Sequence, residues 1–305
     1  MAGVILTSNH PKALWPGVEA WFGRMYNEHQ VEYTDLFDTH TSDKAYEEDV
    51  QIVGFGLVPE KAQAAGVSYD SEIQGPVTRY THVAYALGYI VSHEELEDNL
   101  YEQVSKTRSK ALSFSFRQTK ERIAAGIYNR AFTSGYNGGD GVTLCNTAHP
   151  NTSGGSFSNR LAVDADLSEA ALEALTIQIM QATDDKGLAI SLMPRSLHIA
   201  PQQWYNANRI LDSVYQTGTA NNDVNVIKAT NALPMGVKLN HYFTSPNAWF
   251  IRTNGVSEGL KYFERESLKF TQDNDFDTMN AKAKGYERYS FGWTDPRAIY
   301  GSNGP

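Results

Sequence analysis

The stretch SHEELEDNLYEQVSKTRSKALSFSFRQTKERIAAGIYNRAF, residues 92–132, determines how the rest of the chain is interpreted. It contains no proline and a single glycine, Gly126. At 1.5 Å per residue, one helix over this stretch would be roughly 60 Å long, more than the width of a compact domain of this size. Its apolar residues recur three or four positions apart, the spacing of one helical face: Leu96, Leu100, Val104, Ala111, Leu112, Phe116, Ile123, Ile127 and Ala131.

The ends of this stretch carry helix signals. Ser92 and Glu95 have the spacing of a capping box, in which the side chain of each residue accepts a hydrogen bond from the backbone N–H of the other. The heptad register breaks at Ser113–Ser115, which disfavours a coiled coil, so we expect one spine helix over 92–132. Acidic residues come first and basic residues follow, which suits the helix dipole: Glu94, Glu95, Glu97 and Asp98, then Lys106, Arg108, Lys110, Arg117, Lys120, Arg122 and Arg130.

Composition limits the classes of protein that this chain can be. With 305 residues, 41% of them apolar, it can bury a core in one or two domains. The formal net charge of −9 argues against a general nucleic-acid-binding surface. A single cysteine, Cys145, excludes an intrachain disulfide and suits a reducing compartment. We find neither a signal-peptide pattern nor an apolar run long enough to span a membrane.

Two segments before the spine lack a core of their own. Residues 1–45 are rich in aromatic residues, with a short helix predicted near Val18–Tyr26, and read as an N-terminal arm that packs on another surface. Between Glu47 and Val91 the apolar period changes to two. We predict a projecting two-stranded ribbon, with Val83–Val91 as its second strand and Pro59–Pro76 as a long loop, which lies on another subunit.

After the spine, helices and strands are interspersed, which indicates an α+β fold without internal repeats. One helix opens at Asp166–Ser168 and ends before Asp184, and another starts at Pro201. The remaining predictions are strands at 188–192, 196–199, 237–243, 248–252, 260–270, 282–290 and 293–300, with a surface loop at 216–225 and an acidic loop at 272–279.

No catalytic or metal-binding pattern stands out. Cys145 and His149 are four residues apart, but catalytic Cys–His pairs are normally assembled from distant segments, so a buried Cys and a hydrogen-bonded His are favoured. The run from Asp273 departs from a calcium loop at Thr278 and Lys284. The glycine-rich segments match no phosphate-binding pattern. We therefore predict no enzyme, no cofactor and no metal site.

Several segments after the spine come in a characteristic order. They are GDGVTLCNTAHP, DLSEAALEALTIQIMQATDDKGLAISLMPRSLHIAP, QQWYNANRILDS, PNAWFI, GLKYFERE, DNDFDT and KGYERYSFGWTDPRAIYGS. From about Val142 to Gly301 the chain thereby resembles the major capsid proteins of tailed bacteriophages, which share the Hong Kong 97 phage fold. The resemblance implies four parts: an N-arm at 1–45, an E-loop at 46–91, a P-domain at 92–140 and 260–290 with a P-loop at about 271–280, and an A-domain at 141–259 and 291–305.

The function implied by this resemblance is assembly. Hexamers and pentamers of the chain would form an icosahedral shell around double-stranded DNA, first as a procapsid and then as an expanded head. The implied partners are copies of the chain, a portal protein at one vertex and in some particles a decoration or cement protein. Because no helical extension precedes the N-arm, we expect a separate scaffolding protein. The implied location is the virion, after assembly in the host bacterial cytoplasm, with no contact to a membrane.

The resemblance also implies contact residues. Some relatives join an E-loop Lys to an Asn of a neighbour with help from a buried Glu; Lys61 and Asn274 would take the first two roles, but no matching Glu is identifiable, so a cross-link is not expected. Contacts between subunits are predicted at Lys61, Arg79, Arg117, Arg122, Asp273, Asn274, Asp275 and Asp277, and contacts of the N-arm at Trp15, Trp21 and Phe22.

Two other readings remain open from the sequence. An encapsulin, a bacterial nanocompartment with the same fold, would enclose a protein cargo and close without a scaffold. A small hydrolase using Cys145 and His149 would lose its activity when Cys145 is replaced by Ser, whereas a capsid protein would still assemble.

Overall fold

The computed structural model describes residues 22, 26, 30–92, 94, 101–215, 223–254, 259–275 and 277–305, and for 101–106 the backbone only. Among the described residues, the helices of four or more residues are α1 (Tyr33–Leu36), α2 (Tyr101–Asn129), α3 (Glu169–Met180), α4 (Trp204–Asp212) and α5 (Val226–Ala229). The strands are β1 (Asp38–Thr41), β2 (Tyr46–Val53), β3 (Ile73–Thr81), β4 (Val83–Val91), β5 (His149–Pro150), β6 (Ser156–Phe157), β7 (Pro194–Ile199), β8 (Val237–Leu239), β9 (Ala248–Thr253), β10 (Leu260–Asn274), β11 (Ala281–Trp293) and β12 (Ile299–Asn303).

The long helix α2 is the expected spine, and it ends earlier than predicted. Its 29 residues give a length of about 44 Å. It ends at Asn129, three residues before the predicted end, where the N–H of Ala131 turns back to the carbonyl of Tyr128. The apolar stripe packs against β11, and Gly285 is required there because a Cβ would collide with the Phe116 ring. The predicted capping box cannot be assessed, since Glu95 lies outside the described residues.

The first sheet has the order β1-β10-β11-β4 and lies against α2. Strand β4 pairs antiparallel with β11, Val91 opposite Ala281 and Val83 opposite Tyr289. The prediction that Val83–Val91 forms the second strand of the ribbon is therefore wrong. The ribbon consists of β2 and β3, and β3 begins at Ile73, inside the segment predicted as a loop. Strand β3, IQGPVTRYT, contains Gly75 and Pro76 and has no regular apolar alternation, so the local sequence did not indicate it as the partner of β2.

The second sheet has the order β12-β9-β7-β8. Helix α3 starts as predicted, with the Ser168 side chain accepting the N–H of Ala171. The prediction of a strand at 188–192 is wrong: the segment is irregular and makes one isolated bridge, from Ala189 to Thr183 across the preceding turn. The last strand is also shifted, because Pro296–Ala298 forms a 3-10 turn before β12.

Strand β9 lies between two cores. Its residue Phe250 packs with Tyr128 and Tyr262 in the core between α2 and the first sheet. Its neighbours Trp249 and Ile251 point to the opposite face and pack with Leu175 in the second core. Because both faces of β9 are covered, the second sheet lies between two separate cores, and Phe250 connects it to the first one.

The end of the predicted N-arm is part of the first core and the first sheet. Helix α1 places Leu36 in the first core, and β1 runs parallel to β10 as the edge of the first sheet. Tyr128 of α2 donates its hydroxyl hydrogen to the carbonyl of Leu36 at 3.0 Å. The predicted helix at Val18–Tyr26 falls outside the described residues except for Phe22 and Tyr26.

Candidate inter-subunit surfaces

The ribbon formed by β2 and β3 is attached to the body at its base. Asp49 accepts hydrogen bonds from the ammonium group of Lys261 and, at 2.8 Å, from the hydroxyl of Thr294. Tyr80 forms a further hydrogen bond to Thr294 at 2.6 Å. Burial raises the pKa of Tyr80, so its hydroxyl stays protonated. These contacts fix the ribbon to strands β10 and β11.

Beyond its base the ribbon exposes apolar side chains. Leu57 is 84% exposed, Val58 93% and Tyr69 95%, all in the segment between the two strands. Exposed apolar side chains this close together are typical of a surface that another protein covers. A two-stranded ribbon also has no second layer of its own to cover both faces. The ribbon is therefore the strongest candidate for a contact between copies of the chain.

Two predicted contact residues lie on this ribbon. Lys61 is exposed in the segment between the strands. Arg79 lies on β3, forms an ion pair with Glu48 of β2 at 3.3 Å and stacks over the ring of Tyr46 at 3.7 Å. Both cations are accessible, but Arg79 already has partners within its own ribbon.

The cations on α2 separate into exposed and buried groups. Arg122 is exposed, and its contact with a neighbouring subunit stays a prediction. Arg117 is only 4% exposed, and its guanidinium group donates to the carbonyl of Tyr26 and lies 3.9 Å from the centre of the Tyr26 ring. Tyr26 of its own N-terminal segment thus covers Arg117, and whether Arg117 also contacts a neighbouring subunit stays a prediction.

A buried ion pair holds α2 on the first sheet. Lys120 lies 2.7 Å from Glu287 of β11, both side chains are almost fully buried, and the ammonium group also donates to the hydroxyl of Tyr26 at 3.1 Å. Burial raises the pKa of Glu287, and the attraction of Lys120 opposes this rise. Glu287 therefore stabilises the packing of α2 on β11 within its own chain.

The N-terminal segment reaches α2 through aromatic and acidic residues. Phe22 is buried and stacks on Phe270 of β10 with ring centres 4.6 Å apart, so the predicted arm contact at Phe22 is made within the chain. Trp15 and Trp21 lie outside the described residues. The backbone N–H of Glu32 donates to the carboxylate of Glu121 on α2 at 3.0 Å. Burial raises the pKa of Glu121 to about 7.

The predicted P-loop is the turn between β10 and β11. Asp275 pairs with Lys282 of the same turn and accepts the N–H of Asp277 at 3.2 Å. The hydrogen bond from Lys282 lowers the pKa of Asp275. Asp273 and Asp277 are exposed, and the side-chain oxygen of Asn274 is buried without a hydrogen-bond partner among the described residues. Whether these residues contact a neighbour stays a prediction.

Cys145 and His149 have the structural roles that the sequence favoured. Cys145 is fully buried, and burial raises the pKa of its thiol. His149 is hydrogen-bonded through Nδ1 to Asp140 at 2.6 Å and through Nε2 to Asn159 at 3.0 Å. Within the described part of the chain, no group of three acidic, His or Cys side chains is placed to hold a metal ion, and no helix is long and apolar enough to cross a membrane.

Sequence reasoning missed the residues that attach the ribbon. Asp49 and Lys261 are 212 positions apart, and nothing in either local pattern indicates the other. Asp70 and Lys186 join the far end of the ribbon to the turn before β7. These ion pairs form because the fold brings distant residues together, and no local sequence pattern indicates them.

Comparisons with known proteins give one consistent result. A family model described as phage capsid protein matches residues 76–302. A virus-like particle from Pyrococcus furiosus is 12% identical with a TM-score of 0.55, over 94% of this chain and 98% of that one. A structure of Mycobacterium phage Che8 is 11% identical with a TM-score of 0.54, over 90% and 93%. The capsid of Myoviridae phage XM1 is 9% identical with a TM-score of 0.53, over the whole of both chains.

No curated protein is significantly similar in sequence. At these low identities the structural similarities show the fold alone. They confirm the α+β Hong Kong 97 phage fold that the sequence resemblance implied.

Proposed function

This chain belongs to the phage capsid protein family, and from that premise we propose that it forms the hexamers and pentamers of an icosahedral head around double-stranded DNA. It is a structural major capsid protein, located in the virion. The observation that carries the proposal is the family match, which spans 227 residues from β3 to β12, and thus both sheets and the spine.

We assign the domain layout of the family to this fold with two changes. We assign the ribbon of β2 and β3 as the E-loop, α2 with the first sheet as the P-domain, and the second sheet with α3 and α4 as the A-domain. Strand β4 belongs to the P-domain rather than to the E-loop, since it pairs with β11. The N-arm is then residues before α1, because α1 and β1 are built into the body.

The ribbon supports assembly by contact between copies. Its exposed apolar residues include Ile52, Phe55, Leu57 and Val58, which a free subunit leaves in water. Docking on a second copy would remove this surface from water, and repetition of one such contact around an axis closes a ring. A shell can thus form from one chain.

The partners follow from the needs of such a shell. We propose a separate scaffolding protein during assembly, a portal protein at one vertex and, in the finished particle, a decoration protein. The net charge of −9 suits a wall that encloses DNA without binding its sequence. Assembly would take place in the cytoplasm of the host bacterium. A cross-link between Lys61 and Asn274 is not proposed.

A protein nanocompartment has less support than a phage head. The family model that matches is a phage capsid family, while the similarity to a virus-like particle shows a common fold only. The contents of particles separate the two: DNA with a portal vertex supports the phage head, and an enclosed enzyme with no portal supports the compartment.

Electron microscopy of the purified protein tests the proposal. The chain is expressed alone and together with the scaffolding protein encoded beside it. We expect capsomers, tubes or closed shells. A monodisperse monomer under both conditions would overturn the proposal. Cys145→Ser is a matched control, because a buried thiol without a role in assembly should leave particle yield nearly unchanged.

A further inference from the structure

The turn between α3 and β7 holds one lysine in a fixed position. Asp184 accepts the backbone N–H groups of Lys186 at 2.9 Å and Leu188 at 2.7 Å. Gly187 adopts a φ of +84°, a conformation that glycine reaches without strain. These contacts define the backbone of the turn, and Lys186 lies at its apex.

The turn is itself fixed to the interior. Asp185 forms an ion pair with Arg297 at 2.6 Å, and both side chains are nearly fully buried. The other carboxylate oxygen of Asp185 accepts the N–H of Thr152 at 3.1 Å. The guanidinium group of Arg297 stacks on Phe157 at 3.9 Å. Asp185 therefore fixes the backbone next to Lys186, independently of the contact between Lys186 and the ribbon.

Lys186 reaches the segment between β2 and β3, which we name the ribbon tip, residues 54–72. Its ammonium group donates to the carboxylate of Asp70 at 2.8 Å and to the carbonyl of Ser71 at 3.0 Å. Asp70 also accepts the N–H groups of Gly56 and Ser71, each at 2.8 Å. Although the turn is at the surface, the Lys186 side chain is only 12% exposed, because the ribbon tip covers it.

The ribbon also contacts its own body between its base and its tip. A Cβ on Gly139 would collide with the Val77 backbone and the Thr78 hydroxyl, and a Cβ on Gly75 would come within 3.2 Å of the Thr152 hydroxyl. The ribbon thus runs along the loops of its own A-domain. Its direction is set at three places along its length, and the last of them is the contact of Asp70 with Lys186.

We propose that the turn at 183–189 is a docking site for the ribbon tip of the same chain, with Lys186 and Asp70 as its specific contact. This intrachain clasp holds the ribbon in one orientation before a second copy arrives. A preset orientation reduces the conformational entropy lost on docking. The clasp itself does not depend on the proposed function; only its consequence for assembly rests on that function.

Proteolysis of unassembled subunits tests the clasp directly. Thermolysin cleaves before exposed apolar residues, and the ribbon tip offers Leu57, Val58 and Val67. We expect Lys186→Met to raise the rate of cleavage in the tip roughly three- to ten-fold, because opening of the tip becomes more frequent. Lys186→Arg should cleave at close to the wild-type rate, since a guanidinium group can also bind the Asp70 carboxylate.

A matched control separates the clasp from a general charge effect. Lys269→Met removes an exposed lysine that pairs with Glu266 on β10, and it should leave cleavage of the tip unchanged. Equal rates for wild type and Lys186→Met would overturn the clasp, whether or not the protein forms shells.

Carbodiimide coupling shows whether the contact lies within one chain. The reagent joins the Asp70 carboxylate to the Lys186 amine as an amide, and peptide mass spectrometry identifies the joined pair. We expect this pair in chains of monomer size, both from free subunits and from shells. Dimers and longer ladders joined through Asp70 and Lys186 in shells would overturn the intrachain assignment. Lys186→Arg is the negative control, because arginine does not form this amide.

Discussion

Two antiparallel hairpins in this molecule have opposite surroundings. The hairpin of β10 and β11 lies between β1 and β4 and under α2, and its Tyr262 and Tyr289 are almost fully buried. The hairpin of β2 and β3 pairs with no further strand in the described part of the chain, and it leaves Val50 and Ile52 exposed. Alternation of apolar residues specifies a strand, while the elements packed around that strand decide whether it belongs to an interior or to an interface.

The ion pairs of the two hairpins differ in the same way. Lys120 and Glu287 are buried where α2 covers β11, at 4% and 0% side-chain exposure. Arg79 and Glu48 on the ribbon are about half exposed, so water screens their attraction. Removing one partner should therefore lower the free energy of unfolding strongly for the buried pair and weakly for the pair on the ribbon.

The largest effect is expected from Lys120→Met. It leaves the Glu287 carboxylate buried without its cation, which should lower the free energy of unfolding by about 3–5 kcal/mol. Chemical denaturation of the unassembled subunit measures the change. Lys269→Met, at an exposed pair on the same hairpin, should change stability by less than about 1 kcal/mol. Equal losses of unfolding free energy in the two variants would contradict the distinction between buried and exposed ion pairs.

An intermediate effect, which depends on pH, is expected from Glu121→Gln. Burial raises the pKa of Glu121 from 4.5 to about 7 in the folded chain, so the folded state holds a proton that the unfolded state releases. The stability that this proton contributes is fully present below pH 4.5 and is lost as the pH rises through 7. The wild type should thus lose more stability between pH 5 and pH 8 than Glu121→Gln does. Parallel melting-temperature profiles for the two proteins over this range would refute the assignment.

The smallest effect on stability is expected from the double substitution Leu57→Ser and Val58→Ser. Both side chains are exposed in the ribbon tip, so the free energy of unfolding of the free subunit should change by no more than about 0.5 kcal/mol. The yield of shells should fall strongly, because the docking surface loses its apolar groups. Unfolding curves and particle yield are measured on the same preparation. A normal yield, or a large loss of stability, would place these residues outside a subunit contact.

Local sequence signals predicted a substantial part of this fold. The spine helix, the Ser168 cap of α3, the proline start before α4 and strands β9 to β11 are recognisable because each depends on residues close together in the chain. The ribbon was predicted with the wrong pairing, and the cover over Arg117 was not foreseen. Val83–Val91 is a strand as predicted, but its partner is β11, and Arg117 is on the helix as predicted, but Tyr26 covers it.

The sequence by itself determined the long helix, the alternation of the strands, the excess of aromatic residues near the N-terminus and the order of segments that resembles the capsid family. These are properties of neighbouring residues or of their order, so no contact across the chain is needed to recognise them. Only the tertiary structure decided which strands form the ribbon, that Lys120 meets Glu287, and that Lys186 reaches Asp70 across 116 positions. Contacts between distant positions depend on how the whole chain is packed, and packing is cooperative and leaves no local mark at either residue.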